Sequence, residues 1–212
     1  MAAPLTFKPA AKATKEDFIA VLAGPGGLKY CWCMVWRATS EERKGTSNGA
    51  KQRQMLGRID DGIPVGLVGY ADGEPVAWVS IAPKETYQRL GGPEPREGER
   101  VWSLACMYVR RRLRRGGLAH VLIDAAIEHA TKNGATTIEA YPVDPGSPSY
   151  RFMGFVSAFE KAGFKEIEMA GTGDAAQRDV INKTAGRGED AADALVVTGW
   201  GQQEYRVERM HA

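Results

Sequence analysis

The sequence predicts a layered α/β fold, and three observations carry that prediction. Strand-like and helix-like stretches interleave along the chain, the arrangement of a sheet covered by helices. Asp72-Gly73 stands between two apolar runs, a hairpin signal because glycine accepts the positive φ of a tight turn. Val101–Asn133 reads as an apolar strand, an arginine-rich turn with two glycines, and an amphipathic helix.

Taken in order, Leu5–Pro9 is a short first strand. Thr14 is positioned as an N-cap, with Glu16 and Asp17 in the first turn of a helix. Phe18, Val21 and Leu22 repeat at helical spacing, and Gly24-Pro25-Gly26-Gly27 stops that helix. Tyr30–Trp36 is dense in aromatic and sulfur side chains. Glu41–Gly49 is polar and loop-like, and Ala50–Ile59 places Met55, Leu56 and Ile59 on one side of a second helix. Gly66–Tyr70 and Val76–Ile81 are the two hairpin strands, and Pro83–Arg100 is a loop.

After the central strand, Leu118, Val121, Leu122, Ala125 and Ala126 form an apolar helix face that ends at Asn133-Gly134. Thr136–Tyr141 is a strand closed by Pro142, Phe152–Ala162 a short helix, and Gly163–Glu168 another strand. Beyond Met169 the composition turns to Gly, Ala, Asp and Thr, which predicts a flexible excursion. The expected organisation is one domain over residues 1–212. Its core spans 5–169, an insertion covers 171–198, and a last strand lies within 203–210 around Tyr205–Arg209.

A net charge of +2 on a chain that is 43% hydrophobic and 25% charged argues against a polyanion or membrane partner. The positive charge is local instead, since five of the six residues Arg110–Arg115 are arginine. That cluster suggests a small anionic ligand. Three cysteines and no export-signal pattern predict a reducing, cytoplasmic setting. Cys31-x-Cys33 lacks the second pair of a structural zinc site, and His120, His129 and His211 show no ligand spacing. The segment Cys31–Trp36 therefore reads as a packed roof over a cleft rather than a metal site, and Cys106 as a buried small residue.

The turn before the long helix is built to hold an anion: the first amides of a helix lack intrahelical acceptors and carry its positive dipole end. Gly116 and Gly117 allow the backbone to approach closely. Arg114-Arg115-Gly116-Gly117-Leu118-Ala119 resembles the acyl-CoA pyrophosphate signature Arg/Gln-x-x-Gly-x-Gly/Ala of the GNAT family of N-acetyltransferases. Downstream, Phe159-Glu160-Lys161-Ala162-Gly163-Phe164 is similar to that family's Tyr-x-Lys-x-Gly-Phe segment, with Phe159 at the tyrosine position.

The resemblance covers about Leu5–Ile167. It implies a three-layer fold, with a mixed, mostly antiparallel sheet between helices and a splayed central strand pair. It also implies acetyl-CoA as co-substrate, bound by Met107, Tyr108 and Val109 along the pantetheine arm. Arg114, Arg115, Gly116, Gly117, Leu118 and Ala119 would hold the pyrophosphate. The reaction so implied is direct attack of a primary amine in a ternary complex, without an acyl-enzyme.

Acetyl transfer to an amine calls for a base, an oxyanion donor and an acid for the departing thiolate. Phe159 removes the family's usual acid. Glu139 and Tyr141 share one face of their strand, which makes them a candidate base and acid. Tyr150 is a second candidate acid and Asp144 a second base, and the backbone at Met107 or Tyr108 is the candidate oxyanion donor. Trp32, Trp36, Trp78 and Tyr87 suggest an aromatic-walled pocket, hence a small-molecule acceptor, with no nucleic acid or membrane partner. A homodimer is compatible with this reading. The rival readings are an acyl-CoA sensor that has lost catalysis, an enzyme acting on protein amines, and an RNA- or DNA-binding protein using Arg110–Arg115, against which the modest net charge argues.

Overall fold

A computed structural model of the 212-residue chain describes residues 5–45, 47–114, 117–170, 178–184, 195–196 and 208–209. A seven-stranded sheet runs through its centre. The strands are β1 (Thr6–Pro9), β2 (Leu67–Ala71), β3 (Glu74–Pro83), β4 (Val101–Val109), β5 (Thr137–Ala140), β6 (Lys165–Ala170) and β7 (Arg178–Thr184), in the spatial order β1-β2-β3-β4-β5-β7-β6. Every pairing is antiparallel except β4 with β5. The predicted hairpin forms where Asp72 and Gly73 both take positive φ, 50° and 80°, the geometry of a turn whose twist matches its strands.

A parallel pair needs a crossover, and α3 (Ala119–Lys132) supplies it between β4 and β5. It packs Leu122, Ile123 and Ala126 against Leu104, Ile138 and Ala140 on one sheet face. On the opposite face, α1 (Lys15–Ala23) and α2 (Asn48–Asp60) bury Phe18, Leu22, Met55 and Ile59 against Val68 and Trp78. Phe18 meets Trp78 edge-on at 4.8 Å between ring centres. Burying each of these large side chains stabilises the fold by about 1.5–3 kcal/mol.

Three local expectations change. Thr14 precedes α1 but does not cap it: its hydroxyl donates to Pro9 O at 2.6 Å and accepts from Ala11 N, closing the preceding turn instead. The stretch read as one helix over 152–162 divides into a 3₁₀ turn at Arg151–Met153 and α4 (Val156–Lys161). Gly154 breaks it, with φ of 91°. Most consequential is β7, which lies inside the stretch read as an excursion over 171–198. It is a strand between β5 and β6, whose backbones flank it on both sides. In the region expected to hold the last strand, Glu208–Arg209 pairs with Leu195–Val196, and the rest of 203–210 lies outside the described residues.

One irregularity shapes the centre of the sheet. Ser80 pairs with Cys106 but Ile81 pairs with Leu104, so Ala105 is an extra residue on β4. Such a bulge reverses the inward–outward alternation. Trp102, Leu104, Met107 and Val109 therefore face α3, while Cys106 and Tyr108 join the core beneath α1 and α2. No helix among the described residues is long and apolar enough to cross a membrane.

Candidate active site

β5 accompanies β4 only from Val101 to Leu104 and then departs. The rest of β4 keeps β3 on one edge and loses its neighbour on the other. Which backbone groups this frees follows from the ladder. Arg110 N–H donates to Val76 O at 2.9 Å, and the 77↔109 and 78↔108 register continues from there. Because antiparallel residues alternate in direction, Tyr108 turns its amide groups to β3, while Met107 and Val109 turn theirs to the vacated side. Val109 O confirms the parity: it accepts a 2.8 Å bond from Arg114 Nε on that side.

A cleft of about 530 Å³ opens there. Met107, Tyr108 and Val109 form one wall, and Leu118, Ala119 and Leu122 at the start of α3 form the floor. Phe152, Gly154, Phe155 and Ala158 make the opposite wall, Gly26 and Leu28 overhang from the loop after α1, and Arg114 and Arg151 line it as well. Gly154 is required for this closeness, since a Cβ there would stand 2.7 Å from Met107 Cε and 2.8 Å from Phe159 Cε2. Val143 N–H donates to Gly154 O at 3.0 Å, so the chain leaving β5 holds this second wall in place.

At the cleft's basic end, no side chain among the described residues caps α3, leaving its first amides available to a ligand. Gly117 has φ of 66°, and among the described residues nothing beyond its chain neighbours lies within 4 Å of where its Cβ would be. The approach to the helix terminus is therefore open. Arg114 lies over the Tyr108 ring at 5.3 Å, which leaves one edge of its guanidinium on Val109 O. Arg115 and Gly116 lie outside the described residues. The remaining residues expected to meet the cofactor all border this one region.

The three residues singled out for proton transfer fall in two places. Glu139 and Tyr141 do face each other, with the phenol donating to the carboxylate at 2.5 Å. Neither lines the cleft. Glu139 is 2% exposed; it also accepts from Ser103 Oγ at 2.6 Å and from Lys84 Nζ at 2.9 Å. The Tyr141 hydroxyl also lies 2.8 Å from Gly91 O, and Lys84 donates to Pro93 O, so the 91–93 loop closes over the group. Both carboxylate oxygens are engaged, Oε1 by two donors and Oε2 by one, within a buried group set away from the cleft. Tyr150 sits apart, its ring 5.5 Å from Trp36 and 5.9 Å from Phe152, a residue of the cleft wall. Asp144 accepts from Gly146 N in its own turn.

Phe159 is fully buried and meets Phe164 edge-on at 5.2 Å. The expected aromatic pocket is mostly core: Trp32, Trp78 and Tyr87 are buried, and of that set Trp36 alone stacks toward Tyr150. Sequence reasoning missed the Phe152–Ala158 wall and Arg151. The signal was present as Phe152-Met153-Gly154-Phe155, a glycine set between aromatics where two walls must approach.

With this geometry in view, known proteins can be compared. The model of the Acetyltransferase (GNAT) family matches residues 32–155, more than half of the chain. No curated relative matches significantly. Among solved structures, the aminoglycoside acetyltransferase AAC(6')-Ib with ribostamycin and coenzyme A has a TM-score of 0.57 at 15% identity, over 86% of this chain and 94% of that one. The NatC complex bound to Gag peptide and CoA gives 0.52 at 11% identity, over 85% and 98%. Ard1 from Thermoplasma volcanium gives 0.50 at 13% identity, over 87% and 100%. At these identities the likeness is one of fold, the mixed three-layer architecture described above. Together with the family match over the central strand, the basic turn and the cleft, it establishes that this chain belongs to the GNAT acetyltransferase family.

Proposed function

We propose that the protein transfers an acetyl group from acetyl-CoA to a primary amine of a small molecule, by direct attack on the thioester. The observation that carries this reading is the unpaired second half of β4, which opens on a cleft leading to the uncapped start of α3. Met107 O and Val109 N–H offer a strand edge to the amides of the pantetheine arm. Met107 N–H is the donor for the carbonyl oxygen as negative charge develops, a role for a preoriented amide in a site shielded from water. Leu118, Leu122, Phe155 and Ala158 provide that shielding. Pyrophosphate is held by the amides from Arg115 to Ala119, with Arg114 and Arg151 supplying charge.

The attacking amine must be neutral, and a free ammonium has a pKa near ~10.4, so its proton passes to water at the cleft mouth before attack. Tyr150 is the acid for the departing thiolate, because it adjoins the cleft wall and is not enclosed. Glu139 and Tyr141 are positioning residues that hold β5 where it leaves β4. The Trp36–Tyr150–Phe152 surface supports a small, partly apolar acceptor, in keeping with the ribostamycin complex among the structural neighbours. The NatC neighbour carries a Gag peptide, so peptide amines belong in the same test.

Initial rates with acetyl-CoA against panels of small amines and of peptide N-termini provide it. Thiol release driven by small amines and not by peptides is the expected result, and the reverse preference would overturn the acceptor assignment. One observation favours a second reading, an acyl-CoA sensor: Phe159 occupies the place of the usual acid and is sealed in the core. Tight CoA binding without thiol release from either panel would select it.

A further inference from the structure

A positive charge is sealed on the sheet face that α1 and α2 cover. Arg37, in the segment after α1, is fully buried, and a guanidinium cannot shed its charge there as a buried lysine can. Its Nη2 lies 2.8 Å from Val65 O, 2.9 Å from Ser80 Oγ and 2.7 Å from Tyr87 OH, and Nη1 donates to Thr86 Oγ1 at 3.1 Å. The guanidinium also stands 3.9 Å from the centre of the Tyr87 ring. Nε, equally buried, has no acceptor among the described residues. Burial pushes the Tyr87 phenol up, so each partner is a neutral oxygen or ring. Burying a cation on neutral partners alone costs stability, and the charges nearby decide what the ion does to its surroundings.

None of them offsets it. Among the described residues no carboxylate forms an ion pair with Arg37. Glu41 and Glu42, next along the chain, are taken by Lys44 and Arg58, and Arg58 Nη2 turns back to Arg37 O. On α2 Asp60 is taken by Lys15, and on β5 Glu139 by Lys84. Glu85 and Arg89, on either side of the Thr86 and Tyr87 contacts, are exposed. The Cys33 and Cys106 thiols share this face, and thiols ordinarily titrate above pH 7. The cation is also level with the reacting bond. Ser80 pairs across the ladder with Cys106, and the next residue, Met107, turns its amide to the lane that β5 vacates. Neighbouring strands lie about 4.8 Å apart, so two spacings, about 10 Å, separate the Ser80 contact from a thioester in that lane. Through buried protein of effective dielectric about 20, a unit charge at that distance shifts an ionisation by about one pH unit.

We propose that the uncompensated Arg37 cation drives the bound acceptor toward its neutral, attacking form and favours the negative charge that develops on the thioester oxygen. This rests on the acyl-transfer reading and supplies what that reading lacks, since Glu139, the expected base, is enclosed away from the cleft. The ammonium gives its proton to water. As the C–N bond forms, the carbonyl electron pair moves onto oxygen beside Met107 N–H. The C–S bond then breaks, and the thiolate takes a proton from Tyr150, which recovers one from the new amide nitrogen. Loss of the ammonium proton and growth of the oxyanion both make the site less positive, so one buried cation assists both. Arg37 touches none of the reacting atoms and acts through its field.

The test measures single-turnover acetyl transfer by the full-length protein from about pH 6 to 10. It uses acetyl-CoA with a saturating concentration of whichever primary amine of the small-amine panel releases thiol fastest. At saturation the midpoint of the profile reports the amine in the complex rather than in solution. In the wild type it should lie at least about half a unit below the amine's own pKa. Arg37→Gln should raise it by about one unit, while Arg37→Lys, which keeps the charge and loses the fork, should hold the wild-type midpoint even where its rate falls. A residue that merely staples the segment to the sheet would change rate or stability in both variants without moving the midpoint. An unmoved midpoint in Arg37→Gln therefore overturns the proposal. Thr86→Glu sets a carboxylate where the guanidinium now meets a hydroxyl, and should raise the midpoint with Arg37 in place. Where Arg37→Gln does not fold, that variant decides by the same criterion. A wild type that releases no thiol with any amine removes the acyl-transfer reading and the role of Arg37 with it. Thiol release with a midpoint at the amine's solution value overturns the role of Arg37 and leaves the reading standing.

Discussion

Two polar regions lie on either side of the point where β4 and β5 part. Before it, Glu139 accepts from Ser103, Lys84 and Tyr141 in a group enclosed within the protein. After it, the amide groups of Met107, the N–H of Val109 and the first amides of α3 face a cleft without protein partners in the ladder or a side-chain cap. The same strand contributes to both. A closed network contributes stability and specifies geometry, whereas polar groups left aimed into a concave apolar cleft are what a ligand can complete. The difference therefore separates residues that build this site from residues that act in it.

The comparison breaks first at Glu139. Replacing it with alanine leaves the Lys84 ammonium, the Ser103 hydroxyl and the Tyr141 phenol without their shared acceptor. Stability should fall by about 3–5 kcal/mol, as when one partner of a buried pair is removed. Urea unfolding measures this, and a loss below about 1 kcal/mol would mean that water replaces the carboxylate and the network is not closed. Tyr150→Phe should do the opposite, leaving the unfolding midpoint unchanged while kcat falls about 100-fold, the lower end for loss of a general acid. An unaltered kcat would remove Tyr150 from that role.

Gly117 sharpens the contrast at the other end of the cleft. Gly117→Val introduces a side chain into open space at a positive φ, which costs about 1–2 kcal/mol of stability. The CoA dissociation constant should rise at least tenfold, because the added bulk stands where the anion must approach the helix terminus. Isothermal titration reads that effect, and retained affinity would remove Gly117 from the cradle.

Sequence alone went furthest where one local cause sets the structure. Apolar runs marked β4 and β5, Asp72-Gly73 marked the hairpin, and the basic turn marked the start of α3. It failed where the cause is distant. Arg178–Thr184 is polar in five of its seven positions, and its strand character follows from the two strands that flank it. The extra residue Ala105 leaves no trace in composition, yet it decides which β4 side chains face α3. Arg37 reads as surface by residue type and lies fully buried. Glu139 and Tyr141 were correctly placed on one face, but alternation does not say whether a face is open. Their enclosure depends on Lys84 and the 91–93 loop, about 50 residues away in sequence.

The smallest expected effect belongs to His129, near the C-terminal end of α3 and outside both regions. Its ring meets Trp102 edge-on at 5.5 Å, and burial, helped by the Lys132 charge, lowers its pKa below the ordinary 6.5. The unfolded chain therefore takes up a proton near pH 6.5 that the folded protein resists. The contribution to stability is full above that pH and is lost as pH falls through the folded pKa. Because the ring is partly solvated, the amount is well below about 1 kcal/mol. Thermal unfolding from pH 7.5 to 5 should show a shallow decline that His129→Gln flattens, while CoA affinity follows the wild type at every pH. A decline that persists in the variant would move the titrating group elsewhere.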